Sequence, residues 1–177
     1  MGPPSEILPG LWLANFENAQ DAALLDQLGV NRVLTIGNRS PIDNSILSKT
    51  TPTDPQVGEN GILYKLVYAM DSTEQNILQH FRDCFEFIRD ALAARQGIMV
   101  HCQMGFSRSA TVVIGYLMHA ERLSYAQAFE RVRKKRIVGP NSGFIKQLHM
   151  FQENDCDLTS VYDDQFVIEL SALDFEL

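Results

Sequence analysis

The clearest chemical signal in the sequence is a cysteine and an arginine separated by five residues, Cys102 and Arg108. They lie in the segment His-Cys-Gln-Met-Gly-Phe-Ser-Arg-Ser, which overlaps the end of an apolar run over 97–102 and precedes a second run over 110–118. A strand that leads directly into a buried helix leaves the N–H groups of the turn and of the first helical residues unpaired. We expect these groups to converge on a small concavity that binds an anion.

Cys102, at the base of this predicted anion site, has the surroundings of a reactive thiolate. A helix N-terminus and a nearby arginine lower a thiol pKa to about 3.5 to 7.5, from about 8.5 in an unperturbed cysteine. The spacing lets the chain circle a tetrahedral oxyanion and return Arg108 for a bidentate contact, with Gly105 allowing close backbone approach. The spacing alone is weak support, and a buried structural cysteine is the alternative, but burial would not explain Arg108.

The elements that must position this loop alternate between strands and helices. Short apolar runs predict strands over 11–13, 30–36, 62–68 and 97–102. Helical spacing of apolar residues, with turn or cap residues beside it, predicts helices over 18–28, 77–92, 110–118, 124–136 and 142–151. Ser72-x-x-Gln75 and Ser124-x-x-Gln127 have the spacing of capping boxes, and residues 37–61 have the composition of a long surface loop. The pattern predicts an α/β fold with a central, mainly parallel sheet flanked by helices.

The loop resembles the signature of the cysteine-dependent protein tyrosine phosphatase superfamily, in its dual-specificity branch. Further segments resemble that branch's general-acid loop, central helix and closing motif: Asp71-x-x-x-x-Asn76-Ile77, residues 110–118, and Pro140-Asn141-x-Gly143-Phe144-x-x-Gln147-Leu148. The resemblance covers residues 7–151 approximately. It implies a small, atypical member with a protein tyrosine phosphatase-like fold and a catalytic domain over 1–154. The resemblance does not cover residues 155–177, whose composition indicates an acidic, partly apolar C-terminal tail.

The same resemblance implies how the loop would bind and attack a phosphate. Cys102 would attack phosphorus and form a cysteinyl-phosphate. Arg108 and the loop amides would bind the phosphate oxygens, the loop residues being Gln103, Met104, Gly105, Phe106 and Ser107. No metal and no other cofactor is expected.

Other site residues come from the resemblance as well. Asp71 would be the general acid, although a charge that interacts with a helix N-terminus is an alternative explanation of this residue. Ser109 would help the thiolate to leave in the second step. His101 would orient the loop through hydrogen bonds, and Asn141 would brace it from the neighbouring segment.

The implied activity is hydrolysis of phosphotyrosine and of phosphoserine or phosphothreonine in protein substrates. A phosphoinositide phosphatase is an alternative, but the loop between Cys102 and Arg108 contains no lysine. An RNA 5'-triphosphatase is another, but 15 Lys and Arg against 22 Asp and Glu give no basic excess, so we expect no nucleic-acid partner. A third alternative is a module that binds phosphoproteins without turnover, which would be expected to lack the cysteine or the arginine.

The cysteine content and the hydropathy of the chain indicate the compartment in which we expect the protein. The three cysteines, Cys84, Cys102 and Cys156, are widely spaced, so neither a disulfide framework nor a zinc site is expected. Cys84 lies on an apolar helix face and is predicted to belong to the core, and a redox partner of Cys102 is the alternative. We expect a reducing compartment, cytoplasmic or nuclear, and no stable membrane anchor, because no apolar run is long enough to span a bilayer. The oligomeric state stays open.

The net charge of −7 lies entirely in the tail, since residues 155–177 contain seven acidic residues and no Lys or Arg. The tail also contains apolar residues, namely Phe166, Val167, Ile168, Leu170, Leu173, Phe175 and Leu177. We expect weak autoinhibition or protein docking, with attraction to the basic run 131–136, and a solubilising tail is the alternative. The basic run itself could attract anionic substrates or form an ordinary solvated face.

Overall fold

The computed structural model describes residues 2–47 and 54–159. Its strands are β1 (Ser5–Leu8), β2 (Leu11–Ala14), β3 (Val30–Gly37), β4 (Gln56–Val57), β5 (Leu63–Tyr68) and β6 (Gly97–His101). Its helices are α1 (Phe16–Gln20), α2 (Ala22–Gln27), α3 (Phe81–Ala93), α4 (Arg108–Glu121), α5 (Tyr125–Arg133) and α6 (Ser142–Glu153), with a 3-10 turn at Leu78–His80 before α3. None of the described helices is long and apolar enough to cross a membrane.

The six strands form one sheet in the order β1-β2-β6-β3-β5-β4. The four central strands are parallel, and the edge strands β1 and β4 pair antiparallel with their neighbours. The predicted α/β fold with a mainly parallel sheet is therefore confirmed. Because β3 and β6 are parallel, their carboxyl ends meet, and Thr35 lies beside His101 in the register. This is the edge at which the loop from Cys102 begins.

Helices cover both faces of the sheet, and the alternation of side chains along each strand divides the core in two. Leu34 and Val100 point toward the larger cluster, which includes residues of α3, α4, α5 and α6. Val33 and Met99 point to the smaller cluster, together with residues of α1 and α2. Helix α4 is buried along residues 108–118, as the predicted central helix over 110–118 requires.

The single helix predicted over 18–28 is wrong, because the chain forms two short helices there. Asp21 interrupts the helical backbone and caps α2, its carboxylate accepting from the Leu24 N–H at 3.0 Å. Asn15 caps α1 in the same way. A side chain that bonds the backbone locally competes with helix continuation, which explains the break.

The capping box predicted at Ser72 is also wrong. The Gln75 side chain accepts from the Met70 N–H at 3.0 Å, and α3 begins only at Phe81. The box at Ser124 is confirmed, with both reciprocal bonds to Gln127 present.

The sequence predicts that this helix ends at Arg136, but α5 ends at Arg133. The N–H of Lys135 reaches back only three residues to the Val132 carbonyl, at 2.9 Å, and this tighter turn ends the helix. Strands β1 and β4 were not predicted, and residues 48–53 of the predicted 37–61 loop lie outside the described residues.

Candidate active site

The loop from Cys102 to Ser107 joins β6 to α4, and its carbonyl groups are bonded from outside the curve. Each loop carbonyl has a partner. The carbonyl of Cys102 contacts the His101 ring, that of Gln103 accepts from the Phe16 N–H, those of Met104 and Gly105 accept from Arg136, that of Phe106 accepts from the Gly139 N–H, and that of Ser107 accepts from Thr111. In a planar trans peptide the N–H points opposite to the C=O. The N–H groups that follow these carbonyls therefore point into the curve, where they form an anion cradle.

Cys102 lies at the bottom of the cradle and is only 2% exposed. The Ser109 hydroxyl, in the first turn of α4, donates to the Cys102 sulfur at 3.1 Å. Burial alone would raise the pKa of the Cys102 thiol, but the Ser109 hydroxyl and amide, the Arg108 charge and the Phe106 amide outweigh it, so that the pKa is lowered. The environment therefore favours the thiolate.

Arg108 is buried, with 8% of its surface exposed, at the first position of α4. One terminal nitrogen, Nη1, donates to the Ala69 carbonyl at 3.1 Å, and Nε lies 3.7 Å from the Asp71 Oδ2. Within the described residues Nε has no hydrogen-bond acceptor. A buried guanidinium with donors to spare is suited to bind an anion in the cradle.

Asp71 lies at the rim of the cradle, in the segment between β5 and the 3-10 turn. Its Oδ1 accepts from the Ser107 hydroxyl at 2.7 Å and from the Asn141 side-chain amide at 2.9 Å. The side chain of Asp71 is 37% exposed, against 9% for that of Arg108. The carboxyl group is thus fixed by two partners and still open to a substrate at the mouth of the site.

His101 is fully buried behind the loop, where its ring contacts the Thr35 side chain and the backbone carbonyl of Cys102. Nε2 lies 2.8 Å from the Thr35 hydroxyl, and Nδ1 lies 3.3 Å from the Cys102 carbonyl. Burial and the nearby Arg108 charge lower the pKa of His101 to about 4. A neutral ring that donates from Nδ1 to the carbonyl must accept at Nε2 from Thr35. This arrangement orients the start of the loop without placing the ring at the phosphate.

Asn141 connects α6 to the site. Its Oδ1 caps the helix by accepting from the Phe144 N–H at 2.9 Å, and its Nδ2 donates to Asp71. Two residues further on, Gly143 contacts the backbone of Thr73 so closely that there is no space for a β-carbon. The beginning of α6 is therefore packed directly against the segment that carries Asp71.

Gln147 holds the next part of the same segment from a later turn of α6. Its side chain accepts from the Ile77 N–H at 2.9 Å and donates to the Gln75 carbonyl at 2.8 Å. This amide therefore satisfies two backbone groups of the segment between Asp71 and the 3-10 turn.

The structure thus brings together every residue that the sequence suggested for the site, and it adds three. Thr35, Gln147 and Arg136 contact His101, the Asp71 segment and the loop carbonyls respectively. The sequence contains no local pattern for Thr35 or Arg136, because their partners lie 66 and 31 residues away. Gln147 belongs to the closing motif and could have been found there.

Cys84 faces the hydrophobic core from α3, as predicted, with no exposed surface. Burial raises the pKa of this thiol well above that of an ordinary cysteine. The three cysteines are all free. Cys84 therefore lacks the thiolate character that a partner for Cys102 would need.

Comparison with known proteins agrees with this geometry. The sequence matches the family described as dual specificity phosphatase, catalytic domain, over residues 11–154. Dual specificity protein phosphatase 22 of Mus musculus is 34% identical over 152 residues, which are 85% of this chain and 74% of that protein. Dual specificity protein phosphatase MPK-4 of Drosophila melanogaster is 34% identical over 160 residues, which are 89% of this chain and 38% of that protein.

A solved structure supports the same assignment at the level of the fold. The crystal structure of human DUSP28 matches with a TM-score of 0.74 and 25% identity, covering 89% of this chain and 97% of that chain. Phosphoinositide and RNA substrates are not favoured by any of these similarities. The match over residues 11–154, with the 34% identity to a relative of which this chain spans 74%, shows that the chain belongs to the dual-specificity protein phosphatase family.

Proposed function

We propose that this site hydrolyses phosphotyrosine and phosphoserine or phosphothreonine of protein substrates, with Cys102 as the nucleophile. The observation that carries the proposal is the 3.1 Å contact from the Ser109 hydroxyl to the Cys102 sulfur, at the start of α4 and beside Arg108. A hydroxyl that donates to sulfur favours the thiolate both when it attacks and when it leaves. One contact therefore serves both chemical steps.

In the first step the Cys102 thiolate attacks phosphorus and forms a sulfur–phosphorus bond. The bond from phosphorus to the substrate oxygen breaks, and its electron pair goes to that oxygen, which Asp71 protonates. Arg108 and the inward amides of residues 103–107 bind the three equatorial oxygens as charge shifts from the thiolate to the leaving group. Because the outer carbonyls are already bonded, these amides need no reorganisation during the reaction.

In the second step water attacks the phosphorus of the cysteinyl-phosphate. The Asp71 carboxylate accepts the proton of the water, the sulfur–phosphorus bond breaks, and its electron pair returns to Cys102 as a thiolate that Ser109 stabilises. Inorganic phosphate leaves the cradle. Asn141 and Ser107 keep the Asp71 carboxyl group in one place for both proton transfers.

The loop surface supports a protein substrate. Met104 and Phe106, on the rim of the cradle, are 53% and 44% exposed, and Arg108 is the only cation within residues 102–108. A substrate with several phosphates would need further cations there, whereas a polypeptide around one phosphorylated side chain fits an apolar rim.

The proposal is tested by comparing Cys102→Ser with Cys156→Ser, which removes a buried thiol outside the site. Phosphate release is measured from a phosphotyrosine and a phosphothreonine peptide, and the acid-quenched native enzyme is searched for phosphate on Cys102 by mass spectrometry. We expect Cys102→Ser to fold normally and to lose more than about a thousandfold in kcat, while Cys156→Ser retains turnover. Turnover by Cys102→Ser, or phosphate attached to a different residue, would overturn the proposal.

A further inference from the structure

Arg136, just after α5, uses all three guanidinium nitrogens as hydrogen-bond donors, two of them to the outside of the phosphate loop, which is the loop from Cys102 to Ser107, and one to the N-terminal segment. Nε donates to the Gly105 carbonyl at 2.9 Å, Nη2 to the Met104 carbonyl at 3.3 Å, and Nη1 to the Pro3 carbonyl at 2.8 Å. The guanidinium is planar, so these three contacts fix it in one orientation. Arg136 thus joins the phosphate loop to the N-terminal segment.

Other arginines of the same basic run behave differently. Arg131 pairs with Glu121 in a short contact, and Arg133 pairs with Glu130 at 2.8 Å, with both arginines on the surface of α5. Arg136 instead leaves the helix and turns toward the loop, where it is half-buried. The position at which α5 ends is what makes this turn possible.

Peptide geometry connects the contacts of Arg136 to the reacting atoms. The Gly105 carbonyl shares its peptide plane with the Phe106 N–H, and the Met104 carbonyl shares its plane with the Gly105 N–H. A carbonyl held on the outside therefore directs the following N–H inward. The Phe106 N–H is one of the groups that favour the Cys102 thiolate. The backbone at Gly105 has φ of +65°, a conformation that favours glycine, and a β-carbon there would collide with the Ala14 carbonyl.

We propose that Arg136 is a positioning residue for the nucleophile, because it holds the Met104 and Gly105 carbonyls outward and so aims the next two amides at the phosphate and at the Cys102 sulfur. This inference rests on the proposed role of Cys102. The three hydrogen bonds of Arg136 go to carbonyl oxygens, so its effect on the sulfur is transmitted through the two loop peptide groups.

Charge supports the same assignment. Burial lowers the pKa of the Arg136 guanidinium, and the negative charge of Cys102 opposes that effect. Among the described residues, the Arg108 charge acts on Cys102 and the Cys102 charge acts on Arg136, with Asp71 beyond Arg108 and His101 neutral. Loss of Arg136 would remove a cation and would also free both peptide planes to rotate.

The test compares Arg136→Ala and Arg136→Lys with Arg133→Ala, which removes the same charge from the exposed part of the run. Alkylation of Cys102 by iodoacetamide is followed against pH by peptide mass mapping, and inorganic phosphate is used as a competitive inhibitor. We expect Arg136→Ala to move the alkylation midpoint to higher pH, to weaken phosphate inhibition and to lower kcat/KM about 10- to 100-fold. Arg136→Lys keeps the charge but loses the planar guanidinium that bonds two loop carbonyls at once, so we expect an intermediate effect. Arg133→Ala should match the native protein.

Several outcomes would overturn the positioning role. These are an unchanged alkylation midpoint and phosphate inhibition in Arg136→Ala, or equal shifts in Arg136→Ala and Arg133→Ala, which would mean a general charge effect. If Arg136→Ala does not fold, Arg136→Lys decides alone. A native alkylation midpoint and native phosphate inhibition in that variant would show that the guanidinium group is not needed. Failure of the proposed function would instead show as absent phosphate on Cys102 in the native enzyme, a measurement that does not involve Arg136.

Discussion

The Asn141 side-chain amide donates to the Asp71 carboxylate at 2.9 Å, across 70 residues of chain. The same oxygen accepts from the Ser107 hydroxyl at 2.7 Å. The proposed general acid is therefore connected both to the phosphate loop and to the helix behind it. Its position at the rim of the cradle is held by these two side chains.

Replacing Asp71 by asparagine should affect substrates according to their leaving groups. Alkyl phosphates leave poorly without a proton, so we expect kcat for a phosphothreonine peptide to fall about 10²- to 10⁴-fold. An aryl phosphate with a strongly acidic phenol, such as para-nitrophenyl phosphate, should lose much less. Parallel kcat measurements check this, and an equal loss on both substrates would indicate a purely structural role.

Asn141 has two roles that two variants can separate. Asn141→Asp keeps an acceptor for the Phe144 N–H, whereas Asn141→Ala removes the cap and should cost about 1 kcal/mol of unfolding free energy. Both variants remove the donor to Asp71, so we expect both to lower kcat for a phosphothreonine peptide. Urea denaturation and steady-state kinetics give the two readouts. Native kcat in Asn141→Asp would show that the contact with Asp71 is not needed.

His101 should make stability fall in mild acid. Its pKa in the folded protein is about 4, below the value of 6.5 of an ordinary histidine, so the unfolded chain binds the proton more readily between these values. Stability is therefore retained above pH 6.5 and declines toward pH 4, by about 3 kcal/mol from this residue.

We expect His101→Asn to flatten the dependence of Tm on pH in this range, although it should be less stable at pH 7. The exposed His149, replaced in the same way, is the control. Equal slopes for the native protein and His101→Asn would contradict the prediction.

The residues after α6 should contribute to stability as far as Thr159. Cys156 is buried, its carbonyl lies 2.9 Å from His119 Nδ1, and the Leu158 carbonyl accepts from Arg82 at 2.9 Å. We expect truncation after Asn154 to cost roughly 1–3 kcal/mol of unfolding free energy, while truncation after Thr159 leaves these contacts intact. Denaturant titration of both shortened chains checks this, and equal stability would contradict it.

The remaining tail, 160–177, contains five acidic residues and no Lys or Arg, and its effect on activity should depend on salt. If its charge inhibits the site, truncation after Thr159 raises kcat/KM for a phosphopeptide at low salt and leaves the high-salt value nearly unchanged, because surface charges are screened within about 10 Å at 0.1 M. Identical salt curves for the full and shortened chains would exclude inhibition by charge.

Features with a local cause were the ones that the sequence could predict. The loop from Cys102 to Arg108 lies between an apolar strand and an apolar helix, and the cap at Ser124 needs only Gln127 nearby. The parallel centre of the sheet likewise results from the alternation of strands and helices.

Features made by distant partners could not be predicted in this way. Ser72 and Gln75 have the spacing of a cap, but Gln147, from α6, takes the backbone groups that a helix would have used. The run that ends in Arg136 looks uniform by charge, and only the end of α5 and the carbonyls of the loop distinguish that residue from Arg133. Hydrogen bonds between residues far apart in the chain produce no local or periodic pattern in the sequence.

The close approach of Gly143 to Thr73 bears on how the enzyme moves during turnover. The backbone of the segment that carries Asp71 packs directly against the backbone of α6, so we expect the two to move together. The buried side chains of α6 in turn belong to the larger hydrophobic cluster. A hinged lid needs a segment with few buried contacts, and this one does not meet that condition. We therefore expect the substrate to enter a cleft that is already formed, without the closing of a hinged flap over it.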